Sequence, residues 1–285
     1  MDNVIEVRGL TKRYKNFLLD GVSFTVPRGY VCGFIGQNGA GKTTTLKLML
    51  GMAIKDSGDV AIFGKPGEDV SIKEDLGVLF DQPYYQEDWT PLAIERALRP
   101  FYKRWDGDAF RKYLQVFSLD PKQKFKTLSR GMKMKLGLAV ALSHDAKLLL
   151  LDEPTSGIDP VMRDQLLDIL RDYMTHEDRS IFFSSHITGD LEKIADYIVY
   201  IHKGRIIYSG PKDGLLEKYC VIRGGHEDLA RVMRDKIIGL REHIGGFDGL
   251  ILSTETGGFG PGVIAEDASL DDIMIYTDRE DGSND

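Results

Sequence analysis

The sequence predicts an α/β fold: a mostly parallel β-sheet covered on both faces, with an antiparallel β edge, a helical insert and a small C-terminal α/β extension. Three observations predict it. The short apolar run at residues 30–35, the wholly apolar stretch 147–152 that ends in acid, and the segment 180–186 around Ile181, Phe182 and Phe183 have the texture of strands buried on both faces. Between them lie helix start signals, Ser129 and then Asp159 with Pro160, the latter followed by apolar Leu166, Leu167 and Leu170. Residues 197–202 and 205–208 flank Lys203 and Gly204 as a hairpin.

Taken in order, residues 4–8 and 22–26 alternate as half-buried strands do, with a polar turn at 10–14 carrying the exposed aromatic Tyr14. The strand at 30–35 runs into residues 36–44, Gly-Gln-Asn-Gly-Ala-Gly-Lys-Thr-Thr, and a helix follows until Gly51. Strand, glycine-rich turn and helix in that order match the phosphate-binding loop G-x-x-x-x-G-K-[ST], the Walker A motif. The chemistry needs those residue types. Gly36, Gly39 and Gly41 let the backbone through Asn38, Ala40 and Thr44 curl so that its N–H groups face phosphate oxygens, and the helix N-terminus adds partial positive charge. Lys42 is placed to reach the β- and γ-phosphates, and the Thr43 hydroxyl to ligate Mg²⁺. The expectation is a P-loop fold that binds a nucleoside triphosphate.

Strands at 58–64 and 76–80 follow, the second leading into Asp81, Gln82 and Pro83. The texture then changes to helices without strands. Thr90 caps a helix with Pro91 at its first position, bent or stopped at Pro100; a second helix fits 108–117, and Ser129 caps a third through residue 140. We therefore expect residues 1–82 with 143–210 as the core, 83–142 as the helical insert and 211–285 as a C-terminal accessory extension. In the extension, 215–219, 227–238 and 270–276 look helical, 249–253 is a strand, 257–262 a flexible loop, and the chain frays from Arg279.

Composition narrows the class. With 42% hydrophobic and 28% charged residues the 285-residue chain is an ordinary globular protein, and its net charge of −7 argues against nucleic acid as a partner. Cys32 and Cys220 form no C-x-x-C pair, which points to a reduced compartment. No signal peptide opens the chain and no apolar run nears the roughly 20 residues that cross a bilayer, so work at a membrane requires another chain to span it.

Four elements beyond the phosphate loop bear on chemistry. After four leucines, Asp152 ends a strand where it can hold Mg²⁺, and Glu153 follows where it can polarise an attacking water. Gln82, just past a strand end, can approach metal and water, although a lone glutamine in a turn is usually polar surface. His186 also ends a strand, a position more often structural than catalytic when it stands alone. The fourth is Leu128-Ser-Arg-Gly-Met132.

That stretch, with residues 148–159 (Leu-Leu-Leu-Leu-Asp-Glu-Pro-Thr-Ser-Gly-Ile-Asp) and Ser184-Ser-His186, resembles the nucleotide-binding subunit of an ATP-binding-cassette (ABC) transporter, over residues 3–210 and in the family's order. The resemblance implies an ATPase with ATP and Mg²⁺ as cofactors, bound by a head-to-tail pair of identical or homologous subunits. It gives His186 and Gln82 catalytic parts beside Glu153, makes Thr43, Gln82 and Asp152 the metal residues, and makes Tyr14 the aromatic that stacks on adenine. Ser129, Arg130, Gly131 and Met132 become the signature that contacts the other subunit's γ-phosphate, and Ser156 to Asp159 the D-loop across the interface. The commonest family signature is Leu-Ser-Gly-Gly-Gln; here Arg130 replaces a glycine and Met132 the glutamine. The Leu-Ser-x-Gly-Met form and the ending 270–276 resemble the ABC-2-type exporter branch, which handles drugs, lantibiotics, other peptides and envelope components through a separate membrane subunit. A place on the cytoplasmic face of the cell membrane is implied.

Two rivals remain: an ABC-type ATPase acting on ribosomes or DNA, and an ATP sensor without turnover. A single cassette without sustained heptads weighs against the first, and intact Lys42, Asp152, Glu153 and His186 against the second. Finally, Tyr84, Tyr85 and Trp89 crowd a loop that begins at Gln82, where large amphipathic side chains are expected to anchor a short helix of the membrane subunit. Phe101 and Trp105, four apart, are expected inside the insert.

Overall fold

The computed structural model describes residues 2–229, 234–257, 259, 260 and 262–282. It divides into two compact units, Met1–His186 with Val199–Ser209, and Ile187–Ile198 with Gly210–Asp285.

The first unit opens with β1 (Asn3–Tyr14) paired antiparallel to β2 (Phe17–Pro27). The polar turn expected at 10–14 is instead a continuation of β1. Gly9, at φ 59, places a bulge between Val7 and Leu10, which resets the alternation and hides the strand from a period-two pattern. Next come β3 (Val31–Ile35), α1 (Lys42–Met49), β4 (Ser57–Ile62), the short β5 (Lys65–Pro66) and β6 (Leu76–Leu79). Strands β2-β1-β4-β5 form one antiparallel sheet.

Residues 83–142 hold no strand. Thr90 Oγ1 caps α2 (Pro91–Leu98) by accepting from Ala93 N, and a 3₁₀ turn at Arg99–Phe101 follows at Pro100. Asp106 caps α3 (Gly107–Val116), and Ser129 caps α4 (Arg130–Leu142) by accepting from Met132 N at 3.2 Å. The expected burial of Phe101 is wrong. The 3₁₀ turn breaks helical spacing and leaves Phe101 78% exposed, while Trp105 packs on Tyr102 and Phe110, with ring centroids 6.1 and 5.4 Å away.

Then follow β7 (Leu148–Asp152), α5 (Pro160–Tyr173), β8 (Ser180–Ser185), α6 (Thr188–Ile194), β9 (Tyr197–His202) and β10 (Arg205–Pro211). The second sheet runs β10-β9-β3-β8-β7-β6, in which β3 pairs parallel with β8, β8 with β7 and β7 with β6. Every residue of β3, β7 and β8 is buried, which explains the apolar stretches at their centres. Parallel register puts Ile35, Asp152 and Ser184–Ser185 at one end of this sheet, since Ile35 pairs with Ser185 and Asp152 with Ser184. The site grows from that end. The hairpin turn carries Lys203 at φ 44 and Gly204 at φ 79, the left-handed pair a tight turn requires.

The second unit contains α6 and continues through α7 (Lys212–Leu216), β11 (Tyr219–Gly224), α8 (His226–Leu229), β12 (Ile238–His243), β13 (Gly246–Leu252), β14 (Ile264–Asp267) and α9 (Leu270–Gly282). Its sheet is antiparallel in the order β12-β13-β11-β14, around a core of Ile222, Leu229, Ile237, Phe247 and Ile251. Several sequence expectations change here. Tyr219 opens a strand rather than ending a helix. The helix expected over 227–238 is α8 plus a 3₁₀ turn at Arg234–Lys236 and the start of β12, with 230–233 outside the described residues. The strand expected at 249–253 is β13. Of the loop at 257–262, positions 258 and 261 lie outside the described residues. The chain is helical, not frayed, from Arg279 to Gly282; Arg279 lies over the Tyr276 ring.

Candidate nucleotide site

The site begins where β3 stops. Gly41, at φ 114, is the residue before α1, and a side chain there would meet the Phe17 ring 2.8 Å away, so only glycine fits. The buried Lys42 side chain lies back along the loop and donates from Nζ to the carbonyl oxygens of Gly36 (2.6 Å) and Gln37 (3.2 Å). Thr43 Oγ1 donates to Asp152 Oδ2 at 2.7 Å, and Ser184 Oγ donates to Asp152 Oδ1 at 2.5 Å. Asp152 is fully buried. Burial pushes its carboxyl above the usual carboxylate range, against the two hydroxyl hydrogen bonds, and neighbouring Glu153 adds to the rise.

Glu153 leaves β7 with a left-handed backbone, φ 52, and its N–H donates to Ser184 O at 3.0 Å. That turn aims the side chain at the loop. Oε2 lies 2.7 Å from His186 Nδ1 and accepts from His186 N at 3.3 Å. Oε1 is buried without a hydrogen bond; Lys42 Nζ, 3.2 Å away, makes an ionic contact only. A buried acceptor left in this state is a functional-site signal.

A cleft of ≈ 620 Å³ covers these groups, lined by Tyr14, Asn38, Gly39, Gly41, Lys42, Thr43, Thr44 and Glu153, with Asn16, Phe17, Gln37 and Asp81. Tyr14 is 45% exposed at its rim, with Lys12 Nζ 5.8 Å from the ring centroid. Ala40 is buried, accepts from Gly204 N at 3.0 Å and is not among the lining residues; neither is Gly36, whose carbonyl holds Lys42. Gln82 is exposed and lines an adjoining cavity of ≈ 570 Å³ with Thr43, Asp152, Tyr84 and Tyr85. Among the described residues no three His, Cys, Asp or Glu side chains cluster as a self-sufficient metal site. The Thr43 hydroxyl and Asp152 carboxylate, side by side, are hard oxygen donors of the kind Mg²⁺ takes when phosphates and water complete its shell, so these residues fit Mg²⁺.

Ser129, Arg130, Gly131 and Met132 start α4 and do not line this chain's own cleft. Arg130 Nη2 donates to Asp81 Oδ1 and to Ser156 Oγ. Asp159 caps α5, accepting from Met162 N at 3.0 Å. In the aromatic loop, Tyr84 is 83% and Trp89 39% exposed. Tyr85 differs: its ring meets Phe125 edge-on with centroids 5.5 Å apart, and burial pushes its hydroxyl pKa up, so it is partly held in place by the insert. Sequence reasoning passed over Ser184, Asp81, Asn16 and Phe17. A hydroxyl inside a fully buried strand was the available signal for Ser184.

The ABC transporter family matches residues 19–156. The bacitracin transport ATP-binding protein BcrA of Enterococcus faecalis is 32% identical over 212 residues, spanning 73% of this chain and 69% of that protein. The protein of the same name from Bacillus licheniformis is 30% identical over 262 residues, 88% of this chain and 85% of its own. The lantibiotic transport ATP-binding protein SrtF of Streptococcus pyogenes is 31% identical over 222 residues, 74% and 92%. Among solved structures, one described as the ATP binding subunit of an ABC transporter superposes with a TM-score of 0.67 at 27% identity, covering 74% of this chain and 91% of that one. The phosphate loop, the acid pair ending β7 and these relatives agree: the chain belongs to the ABC transporter family, as an ATP-binding subunit.

Proposed function

We propose that this chain hydrolyses ATP with Mg²⁺ and drives export through a separate integral membrane subunit, two ATPase subunits closing head to tail around two nucleotides. The observation that carries it is Glu153. Its carboxylate is oriented by His186 through Oε2 and presents an unbonded Oε1 into the cleft beside Lys42. Mg²⁺, held by Thr43 and Asp152 with Gln82 nearby, would neutralise phosphate charge. Lys42 gives up the Gly36 and Gln37 carbonyls to reach the phosphates, which leaves Glu153 free to take a proton from an attacking water, and His186 keeps that carboxylate aligned. Tyr14 offers its exposed ring to the adenine.

Ser129 and Gly131, which do not line the chain's own cleft, serve the opposing subunit, and 83–142 is the subdomain that presents them. Tyr84 and Trp89, exposed in the loop that starts at Gln82, receive the membrane subunit and place this chain on the cytoplasmic face. The names of the relatives make peptide antibiotics of the bacitracin and lantibiotic kind the first cargo to try. No helix among the described residues is long and apolar enough to cross a membrane.

The test is phosphate release and ATP-driven dimerisation. Wild-type protein should release phosphate from ATP only with a divalent cation and dimerise on ATP. Ser129→Arg should keep ATP binding by the monomer and lose the dimer, whereas Lys42→Ala should lose binding itself. Equal loss of monomer affinity in both variants would place Ser129 in its own subunit's cleft and end the head-to-tail reading.

A further inference from the structure

Helix α4 starts with a cation where helix N-termini favour anions. Arg130 is its first residue, no acid stands in its first turn, and Lys133 follows one turn later. The guanidinium is compensated from outside the helix. Nη2 donates to Asp81 Oδ1 at 2.5 Å and to Ser156 Oγ at 3.3 Å. Ser156 is held in turn by its own N–H, which donates to Glu153 O at 3.0 Å. Asp81 lines the nucleotide cleft with Lys42 and Glu153 and immediately precedes Gln82. A Cβ added at Gly131 would lie 3.2 Å from Gly157 O, so the start of α4 also sits close against the loop after Glu153. Arg130 is thus the one side chain of the signature segment with hydrogen bonds to both the wall of the cleft and the loop beyond the catalytic acid.

We propose that Arg130 is a positioning residue that latches the start of α4 to its own subunit's nucleotide cleft through Asp81 and Ser156, and that nucleotide entering the cleft releases it. The inference rests on the ATPase reading above. A polyphosphate in the cleft brings several negative charges beside Asp81. They compete for the guanidinium and raise the cost of keeping the Asp81 carboxylate in place. Released, the first turn of α4 can adjust, and with it Ser129 and Gly131, the groups offered to the opposing subunit. The substitution of arginine for the common glycine then has a purpose: it makes presentation of the signature depend on the occupancy of its own subunit's site.

Amide hydrogen exchange at Met132 and Lys133 tests the latch in the full-length protein without nucleotide. Arg130→Ala and Asp81→Ala should each speed exchange by about 2- to 5-fold, the scale of an exposed ion pair, and the double variant should be no faster than either single one. Arg130→Lys, which can still reach one partner, should fall between. Added ATP, at a protein concentration low enough to keep the chain monomeric, should speed exchange there in wild type and not in Arg130→Ala; at concentrations that allow the dimer, ATP-dependent phosphate release by Arg130→Ala should lose cooperativity, with a Hill coefficient near 1. Additive effects of the two alanine variants, or no change in either, overturn the latch. Wild type without ATP turnover would instead overturn the ATPase reading, and the nucleotide-free exchange would still decide the latch by itself.

Discussion

At the residue scale the chemistry concentrates on one carboxylate with two different oxygens. Glu153 Oε2 is fixed by the ring and backbone nitrogens of His186, while Oε1 has only the ionic approach of Lys42. Its left-handed backbone, φ 52, costs on the order of 1 kcal/mol, and it delivers the side chain into the cleft. Glu153→Gln keeps the size and the left-handed turn but removes basicity and charge. Hydrolysis should slow by about 10²-fold or more, because a neutral amide cannot accept the water's proton. ATP binding should not weaken, because Lys42 loses a competing anion and is freer to meet phosphate. Phosphate release and equilibrium nucleotide binding, measured on one preparation, check both halves. Turnover near wild type would remove Glu153 from the catalytic role.

At the element scale, α4 is tied at its far end by a histidine. His144, buried just past the helix, places Nδ1 3.1 Å from Val140 O and Nε2 2.9 Å from Leu76 O in β6, under the Tyr102 ring 4.1 Å away. A neutral ring has one N–H for two carbonyl oxygens, so these contacts favour a second proton. Burial outweighs them and holds the pKa below its ordinary value of 6.5, with Arg104 adding to the fall and Asp145 opposing it. The sign follows. Above 6.5 neither the folded nor the unfolded chain carries the proton. As pH falls below 6.5 the unfolded chain takes it up first, and stability drops toward the folded pKa. Melting curves from about pH 7 to about pH 5 should therefore fall more steeply for wild type than for His144→Gln; equal slopes would contradict it. The elements differ in how far the sequence revealed them. Strands β3, β7 and β8 were legible because burial on both faces fills their middles with apolar side chains and confines polar ones to the strand ends. Strands β12 and β14 were not, since every residue of β14 and the last three of β12 are exposed, and Gly239 at φ 61 accompanies a register shift. The site divides the same way. Residues 36–44 and 152–153 are adjacent in the chain, so a motif can hold them. The bonds of Ser184 to Asp152 and Arg130 to Asp81 join residues 32 and 49 positions apart, and only the fold brings them together.

At the scale of the whole molecule, the two units each keep a core of their own. In the first, Phe24, Phe34 and Phe182 pack with ring centroids 5.1 to 5.8 Å apart; in the second, Ile222, Phe247 and Ile251 pack with Ile237 and with Leu229 of α8. The second unit adds a polar centre. Asp248 in β13 is 3% exposed and accepts from Tyr276 Oη in α9 at 2.6 Å and from Arg241 Nε in β12 at 3.0 Å, with His243 Nε2 3.2 Å away. Burial alone would raise its carboxyl; the hydrogen bonds from Tyr276 and Arg241 and the charges of Arg241 and His243 prevail and hold it below the usual range. Tyr276 moves the other way, pushed up to about 12 by burial and by its bond to Asp248. Asp248 therefore contributes stability above its ordinary value of 3.8 that is lost as pH falls through the lower folded pKa. Tyr276 contributes stability below 10 that is lost as pH rises toward about 12. Asp248→Ala leaves the buried Tyr276 hydroxyl without its acceptor and the Arg241 and Arg279 guanidiniums without this anion, at a cost of about 1–3 kcal/mol. Hydrogen exchange should rise across β12, β13 and α9 together, because the three elements share this one carboxylate. Asp248→Asn, which still accepts from Tyr276, should lose less. Protection in the three elements unchanged by Asp248→Ala would mean that the apolar core alone holds α9 to the sheet.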